Sequence, residues 1–247
     1  APEVIDPGAS AHHDPAPELS RKAPVFSARS YIFPALFGAS GAVFFNLLLA
    51  FSRLPDRRSL AVFCYFCPVK RNKGMKNIHL ILTRHGETLE NRRHLMQGHI
   101  PGTLSPLGIQ QAEQLAVALQ GRPIDAIVCS DLARSYDTAM IVARVRDMEV
   151  FPTPLLREID WGPHTGGRLD RLDWEHLPAG CETLEQLFQR AGQFLNFLGE
   201  CYPGKRLLAV GHGAIDRAIV AWLSGKTARD MVNMPIMKNT EYIEFNF

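Results

Sequence analysis

Apolar positions between residues 78 and 245 fall into two alternating patterns. Residues 78–83, 124–129 and 206–210 are short runs, largely apolar on both faces. They read as strands buried between two layers. Between them, apolar residues recur at helical spacing. Residues 106–120 carry Leu107, Ala112, Leu115, Ala118 and Leu119, and residues 182–199 carry Leu184, Leu187, Phe188, Ala191, Phe194, Leu195 and Leu198. Helices are also expected over 131–145, with Ser130 or Asp131 as N-cap, and over 214–223. Residues 240–245 fit an edge strand. Strands alternating with helices predict an α/β fold: a three-layer α/β/α arrangement whose central sheet is mainly parallel, with helices on both faces.

Residues 1–74 follow neither pattern. They hold eight of the 17 prolines and none of the seven methionines, all of which fall at Met75 or later. Within them, residues 30–52 are 23 consecutive uncharged positions. That is long enough to span a bilayer, which takes about 20 apolar residues, but Pro34, Gly38, Gly41 and Asn46 interrupt it. The segment lies too deep in the chain for a secretory signal. The expectation is a functional domain over 75–247 that begins at Met75 like a cytoplasmic enzyme. Residues 1–74 are expected to be a disordered or non-native extension outside the fold, and membrane contact arises only if 30–52 is an anchor.

Charge divides along the same line. Nine Lys/Arg stand against five Asp/Glu in residues 1–74, so the remaining 18 and 20 leave residues 75–247 slightly acidic. No basic stripe suited to nucleic acid is present. Five cysteines, odd in number and sparsely spaced, indicate no disulfide framework and fit a reducing compartment. Cys64 and Cys67 form a lone C-x-x-C with no second pair to complete a zinc site.

Candidate chemistry sits at the ends of the strands. The first runs into Arg84-His85-Gly86 and the third into Gly211-His212-Gly213. Ligands of open α/β sheets bind beyond the carboxyl ends of strands, so both histidines are expected on one rim. A glycine after each histidine allows backbone to come close to a ligand. A helix starting near Gly213 is expected to aim free N–H groups at an anion. The second strand leads to Arg134 in the first turn of its helix, near the same rim. Two arginines and two histidines gathered together make sense around a dianion.

These segments resemble the histidine phosphatase superfamily, in its phosphoglycerate-mutase-like branch. Five blocks occur in family order: Arg84-His85-Gly86-Glu87-Thr88 with Asn91, Gln97 and Gly98; Leu104-Ser105-Pro106-Leu107-Gly108 with Gln111-Ala112; Ser130-Asp131-Leu132 with Arg134 and Thr138-Ala139; Leu156-Arg157-Glu158 with Gly162; and Gly211-His212-Gly213 with Arg217. The resemblance implies a phosphohistidine formed on His85. It implies Arg84, Arg134 and His212 as the phosphoryl clamp, with Gly213 beside it and a hydrogen bond from Asn91. Glu158 becomes the general acid, and Gln97 and Gly98 lie near the substrate. Glu182, Glu87 and Asp160 are the other carboxylates weighed for the acid. Arginines neutralise the charge, so neither metal nor cofactor is implied. Leu95 stands where the family often has Arg, and Thr165 where it often has a second Glu; these positions bear on substrate preference.

Thr88-Leu89-Glu90-Asn91 after the histidine is more similar to the phosphatases of the branch than to its mutases. The reading is a phosphomonoesterase acting on a small phosphorylated metabolite, of the α-ribazole phosphatase or broad-specificity type. A homodimer is left open. The first alternative is a cofactor-dependent phosphoglycerate mutase. An alternative of another class is a phospho-ligand-binding module without turnover. Of the remaining histidines, His79 is expected to be structural, and His99 and His164 are candidates to line the substrate mouth.

Overall fold

The computed structural model describes residues 77–247. The extension 1–74, its uncharged stretch 30–52, the Cys64/Cys67 pair and the boundary at Met75 lie outside the described residues. The described chain runs β1 (His79–Arg84), α1 (Leu89–Arg92), α2 (Pro106–Ala118), β2 (Ala126–Ser130), α3 (Ala133–Arg144), β3 (Val150–Thr153), α4 (Leu184–Cys201), β4 (Arg206–Gly211), α5 (Gly213–Leu223) and β5 (Tyr242–Asn246). Short 3₁₀ turns lie between β3 and α4 and again after α5.

The five strands form one sheet in the order β3-β2-β4-β1-β5. β1, β2, β3 and β4 pair in parallel, and β5 closes one edge antiparallel to β1. Alternate residues of each strand feed opposite cores. Leu80, Leu82, Val128, Leu207 and Ala209 pack with Leu187, Phe194 and Ile215 of α4 and α5. Ile81, Ile127, Cys129, Leu208 and Val210 pack with Leu115, Ala139 and Val142 of α2 and α3. The result is the expected three-layer α/β/α fold.

The order of strands decides where a ligand can go. β1 and β4 are neighbours, in register from His79–Arg206 to Arg84–Gly211. The helix following β1 in the α/β alternation, α2, covers one face, whereas α5, which follows β4, covers the other. Connections that leave adjacent parallel strands toward opposite faces open a crevice at their carboxyl ends. Both strand–His-Gly segments end at that crevice.

Some local expectations need correction. Neither Ser130 nor Asp131 caps α3. Its N-cap is Leu132, with no side-chain cap. Ser130 instead accepts the Leu132 amide at 3.3 Å, and Asp131 is held bidentately by Arg157. The helix expected over 182–199 begins at Leu184. Thr183 accepts the Gln186 amide while Gln186 reaches back to the Thr183 amide, a capping box that frees Glu182 for other work. The strand β3 and the four-residue α1 were not expected. Each is too short to show a period, and β3 contains Pro152. Among the described residues, no helix is long and apolar enough to cross a membrane.

Candidate active site

His85 follows the last residue of β1, and its amide donates to the carbonyl of Gly211 on β4 at 3.2 Å. His212 follows the last residue of β4. The two rings lie edge to face, with centroids 5.0 Å apart, and both are buried. Parallel pairing of two strands that each end in His-Gly is enough to produce this juxtaposition.

Arg134, fully buried in the first turn of α3, joins them. Its Nε–H points at Nε2 of His85 at 3.3 Å and at Nδ1 of His212 at 3.1 Å. The guanidinium is fixed from the far side by carbonyls: Nη1 donates to Ile100 and Pro101, and Nη2 to Gly98. Burial, as the largest influence, and the charge of Arg84 lower the Arg134 pKa to about 10 against an attraction from Glu158, so it stays charged at neutral pH.

These contacts fix the tautomers. Nδ1 of His85 faces the Gly86 carbonyl at 2.7 Å, so it carries the proton and donates. Nε2 of His85 is then an unprotonated lone pair directed at the Arg134 N–H. On His212, Nδ1 accepts from Arg134. Nε2 therefore holds the proton, and it is a buried donor with no partner. Burial, then the positive charge of Arg134, holds both imidazoles well below the usual histidine range, so both are neutral.

Arg84, at the end of β1, donates from Nη1 to the Met237 carbonyl at 2.9 Å, while its buried Nε has no partner. Burial, the largest influence, lowers its pKa and the charge of Glu158 opposes that. Glu158 follows the 3₁₀ turn Pro154–Leu156. Its Oε1 accepts the Ala214 amide and its own neighbour Ile159, each at 3.0 Å. The α5 N-terminus was expected to aim free N–H groups at a ligand; the Ala214 N–H is instead occupied by this carboxylate. A Cβ on Gly213 would stand 3.6 Å from both Arg84 Cζ and Glu158 Oε2. Gly213 therefore lies close to both Arg84 and Glu158. Gly86 has another reason to be glycine: a Cβ there would meet the Gly108 carbonyl oxygen at 2.4 Å. The close approach at Gly86 is to backbone, not to a ligand.

The cleft above the histidines is small, about 40 Å³, and is lined by Arg84, His85, Asn91, Gln97, Arg134, Glu158 and Gly213 on its polar side. Gln97 has a buried, unpartnered Oε1, which lies close to Gly102. Asn91 spends its Oδ1 on the Thr88 amide as part of the α1 capping box, which leaves its NH₂ group as a donor. His212 is fully buried and lies outside this lining, with its ring against that of His85. Gly98, with φ of +49°, acts through its carbonyl on Arg134 rather than as a wall. Of the rival carboxylates, Glu87 binds Ser105 Oγ, Asp160 binds the Gly162 amide and Glu182 pairs with Arg190; none lines the cleft. A larger hollow of about 590 Å³ lies between Glu175, His176, Lys226, Arg229 and Asp230. Its lining includes none of His85, His212, Arg84 and Arg134.

His99 and His164 do not line the cleft. His99 Nε2 contacts the Glu158 carbonyl at 2.9 Å, and His164 contacts the Ala179 carbonyl. Thr165 bonds only its own turn, at Gly162. His79 bridges to Asn246 and Glu244 of β5, as a structural residue should.

Several supporting residues carried no functional assignment from sequence. Thr138 accepts the Gly86 amide and donates to the Arg134 carbonyl, locking two site backbones together. Asn239 donates to the His85 carbonyl. Arg190 donates to the carbonyls of Leu155, Arg157 and Glu158, and Glu182 holds Arg190 while accepting the Asp160 amide. A period-spaced helix marks Arg190 only as a polar position; its partners come from a distant loop.

A sequence model of the histidine phosphatase superfamily (branch 1) matches residues 80–247. The chain belongs to this superfamily. It is 32% identical to the adenosylcobalamin/α-ribazole phosphatase of Escherichia coli (strain K12), over 62% of this chain and 82% of that one. It is 30% identical to the metal-independent phosphoserine phosphatase of Arabidopsis thaliana, over 66% and 78%. Among solved structures, the mycobacterial glucosyl-3-phosphoglycerate phosphatase superposes with a TM-score of 0.62 at 26% identity, over 69% of this chain and 91% of that one. The enzyme class follows from the family and these relatives: this histidine phosphatase is a phosphomonoesterase.

Proposed function

We propose that the protein hydrolyses the phosphomonoester of a small metabolite through a phosphohistidine on Nε2 of His85. The observation that carries this is the tautomer of His85: Nδ1 is committed to the Gly86 carbonyl, so Nε2, on a ring that lines the cleft, is the nitrogen that keeps a lone pair, held before substrate arrives by the Arg134 N–H. A neutral imidazole is the form that attacks.

The phosphoryl group then sits among Arg84 Nε, His212 Nε2 and Arg134, all donors that are buried before substrate arrives. Such preorganised donors stabilise charge on the equatorial oxygens without reorganising during reaction. His85 Nε2 forms a bond to phosphorus as the ester P–O bond breaks. The leaving alkoxide takes a proton from the acid form of Glu158, whose Oε2 lies beside Gly213 with Arg84, and the attacking water later restores that proton. A water molecule next attacks phosphorus, gives its proton to the Glu158 carboxylate and releases inorganic phosphate, returning His85 to its neutral form.

The test is release of phosphate from a panel of phosphomonoesters by the wild-type protein and by His85→Ala. Turnover by the first and none by the second is expected. Undiminished turnover by His85→Ala contradicts the assignment. Conversion of 3-phosphoglycerate to its isomer, primed by a trace of the bisphosphate, in place of phosphate release would identify a mutase.

A further inference from the structure

The cleft has two unlike sides. Its cations, Arg84 and Arg134, both belong to the phosphoryl floor, since Arg134 touches both histidines and Arg84 borders Glu158 and Gly213. The remaining wall is made by Leu95, Met96, Trp161, Leu169, Trp174 and Ile236. No lysine or further arginine joins this lining among the described residues. Arg217, behind Trp174, is buried with its guanidinium 4.5 Å from the Trp174 ring centre and its Nη1 given to the Met231 carbonyl. Trp174 thus lies over that charge instead of exposing it to the cleft. Trp161 meets Trp174 edge to face at 5.7 Å, which fixes both indoles as rigid walls.

Resting on the phosphatase reading above, we propose that the leaving group is an uncharged alcohol with an apolar or aromatic face, seated against Trp161 and Trp174. A carboxylate or second phosphate on the leaving side meets no cation of the described lining beyond the two at the phosphoryl floor and loses its hydration against apolar carbon, which costs affinity. A flat apolar group gains contact with two indoles at no such cost. Substrates that carry an acid next to the ester, such as phosphoserine or phosphoglycerate, are therefore poor.

The experiment compares kcat/KM for 2-phenylethyl phosphate, ethyl phosphate, O-phosphoserine and 3-phosphoglycerate, all esters of primary aliphatic alcohols. The expected order places 2-phenylethyl phosphate at least about 10-fold above ethyl phosphate and at least about 100-fold above the two acids, the scale on which apolar pockets and unpaired polar groups discriminate. Leu95→Arg, which puts a cation on the apolar wall, is expected to narrow the gap between 2-phenylethyl phosphate and 3-phosphoglycerate by at least about 10-fold. Hydrolysis of all four esters with the acids equal or preferred overturns this inference and leaves the phosphatase reading standing. Hydrolysis of none overturns both.

Discussion

Arg134 directs its Nε–H at Nε2 of His85 from 3.3 Å, the one nitrogen of that ring left without a proton. The same N–H reaches His212 Nδ1 at 3.1 Å. A single planar guanidinium thus holds both rings, His85 at Nε2 and His212 at Nδ1, each at its unprotonated nitrogen. Lysine has the charge but not the planar fork. Arg134→Lys is expected to lower kcat by about 100-fold or more, the scale of losing one preorganised donor. Steady-state kinetics on the folded variant checks this, and a loss confined to KM would contradict it.

Both site imidazoles are held neutral by burial and by Arg134. Their folded pKa values lie below the unfolded value of about 6.5. Below that pH the unfolded chain takes up protons that the folded chain does not, so stability falls as pH drops from 6.5. The slope is at most about 1.4 kcal/mol per pH unit for each histidine. Nitrogen-15 spectra of the ligand-free protein at pH 6 should show two neutral rings, His85 protonated at Nδ1 and His212 at Nε2. An imidazolium signal from either at that pH contradicts the account.

Asp216, one turn into α5, is fully buried, and neither carboxylate oxygen has a partner. Burial, then repulsion from Glu158, raises its pKa well above the usual aspartate range. The sign is opposite to that of the histidines: the unfolded aspartate ionises above about 3.9 while the folded one keeps its proton, so stability is lost as pH rises through that window. Asp216→Asn keeps the shape and removes the titration. It should raise Tm relative to wild type, by more at pH 8 than at pH 4.5. An equal shift at the two pH values contradicts a neutral Asp216.

Arg190 is a positioning residue. Its guanidinium ties three carbonyls of the Glu158 segment to α4 and is itself held by Glu182. Arg190→Gln should lower kcat about 10-fold with little change in KM, because it displaces the acid by a fraction of an ångström rather than the phosphoryl clamp. The discriminating readout is the leaving group: esters of acidic phenols, which need no protonation, should be affected less than alkyl esters. Equal losses on both would assign Arg190 to the fold alone.

Much of the site is legible in the sequence because it lies at strand ends. An apolar run followed by His-Gly, twice, placed His85 and His212 on one rim, and parallel pairing of β1 with β4 brings them within 5.0 Å. Arg134 was legible for the same reason, as a residue one turn past β2. The parts that escaped are those set by tertiary contact. Nothing local to Ser130 shows that it caps its own turn rather than α3. Nothing local to Ala214 shows that its amide is taken by Glu158, 56 residues away in sequence. The aromatic wall depends on Trp161 and Trp174, which flank irregular 3₁₀ turns without a period to read.

The central claim is that His85 Nε2 carries the phosphoryl group during turnover. Rapid quench of the wild-type protein with a phosphorus-32 phosphomonoester, followed by peptide mapping, tests it most directly. The label is expected to be stable in base, lost in acid and located on the peptide containing His85, with none in His85→Ala. Turnover without such a label at any quench time, or a label that persists in His85→Ala, would contradict it.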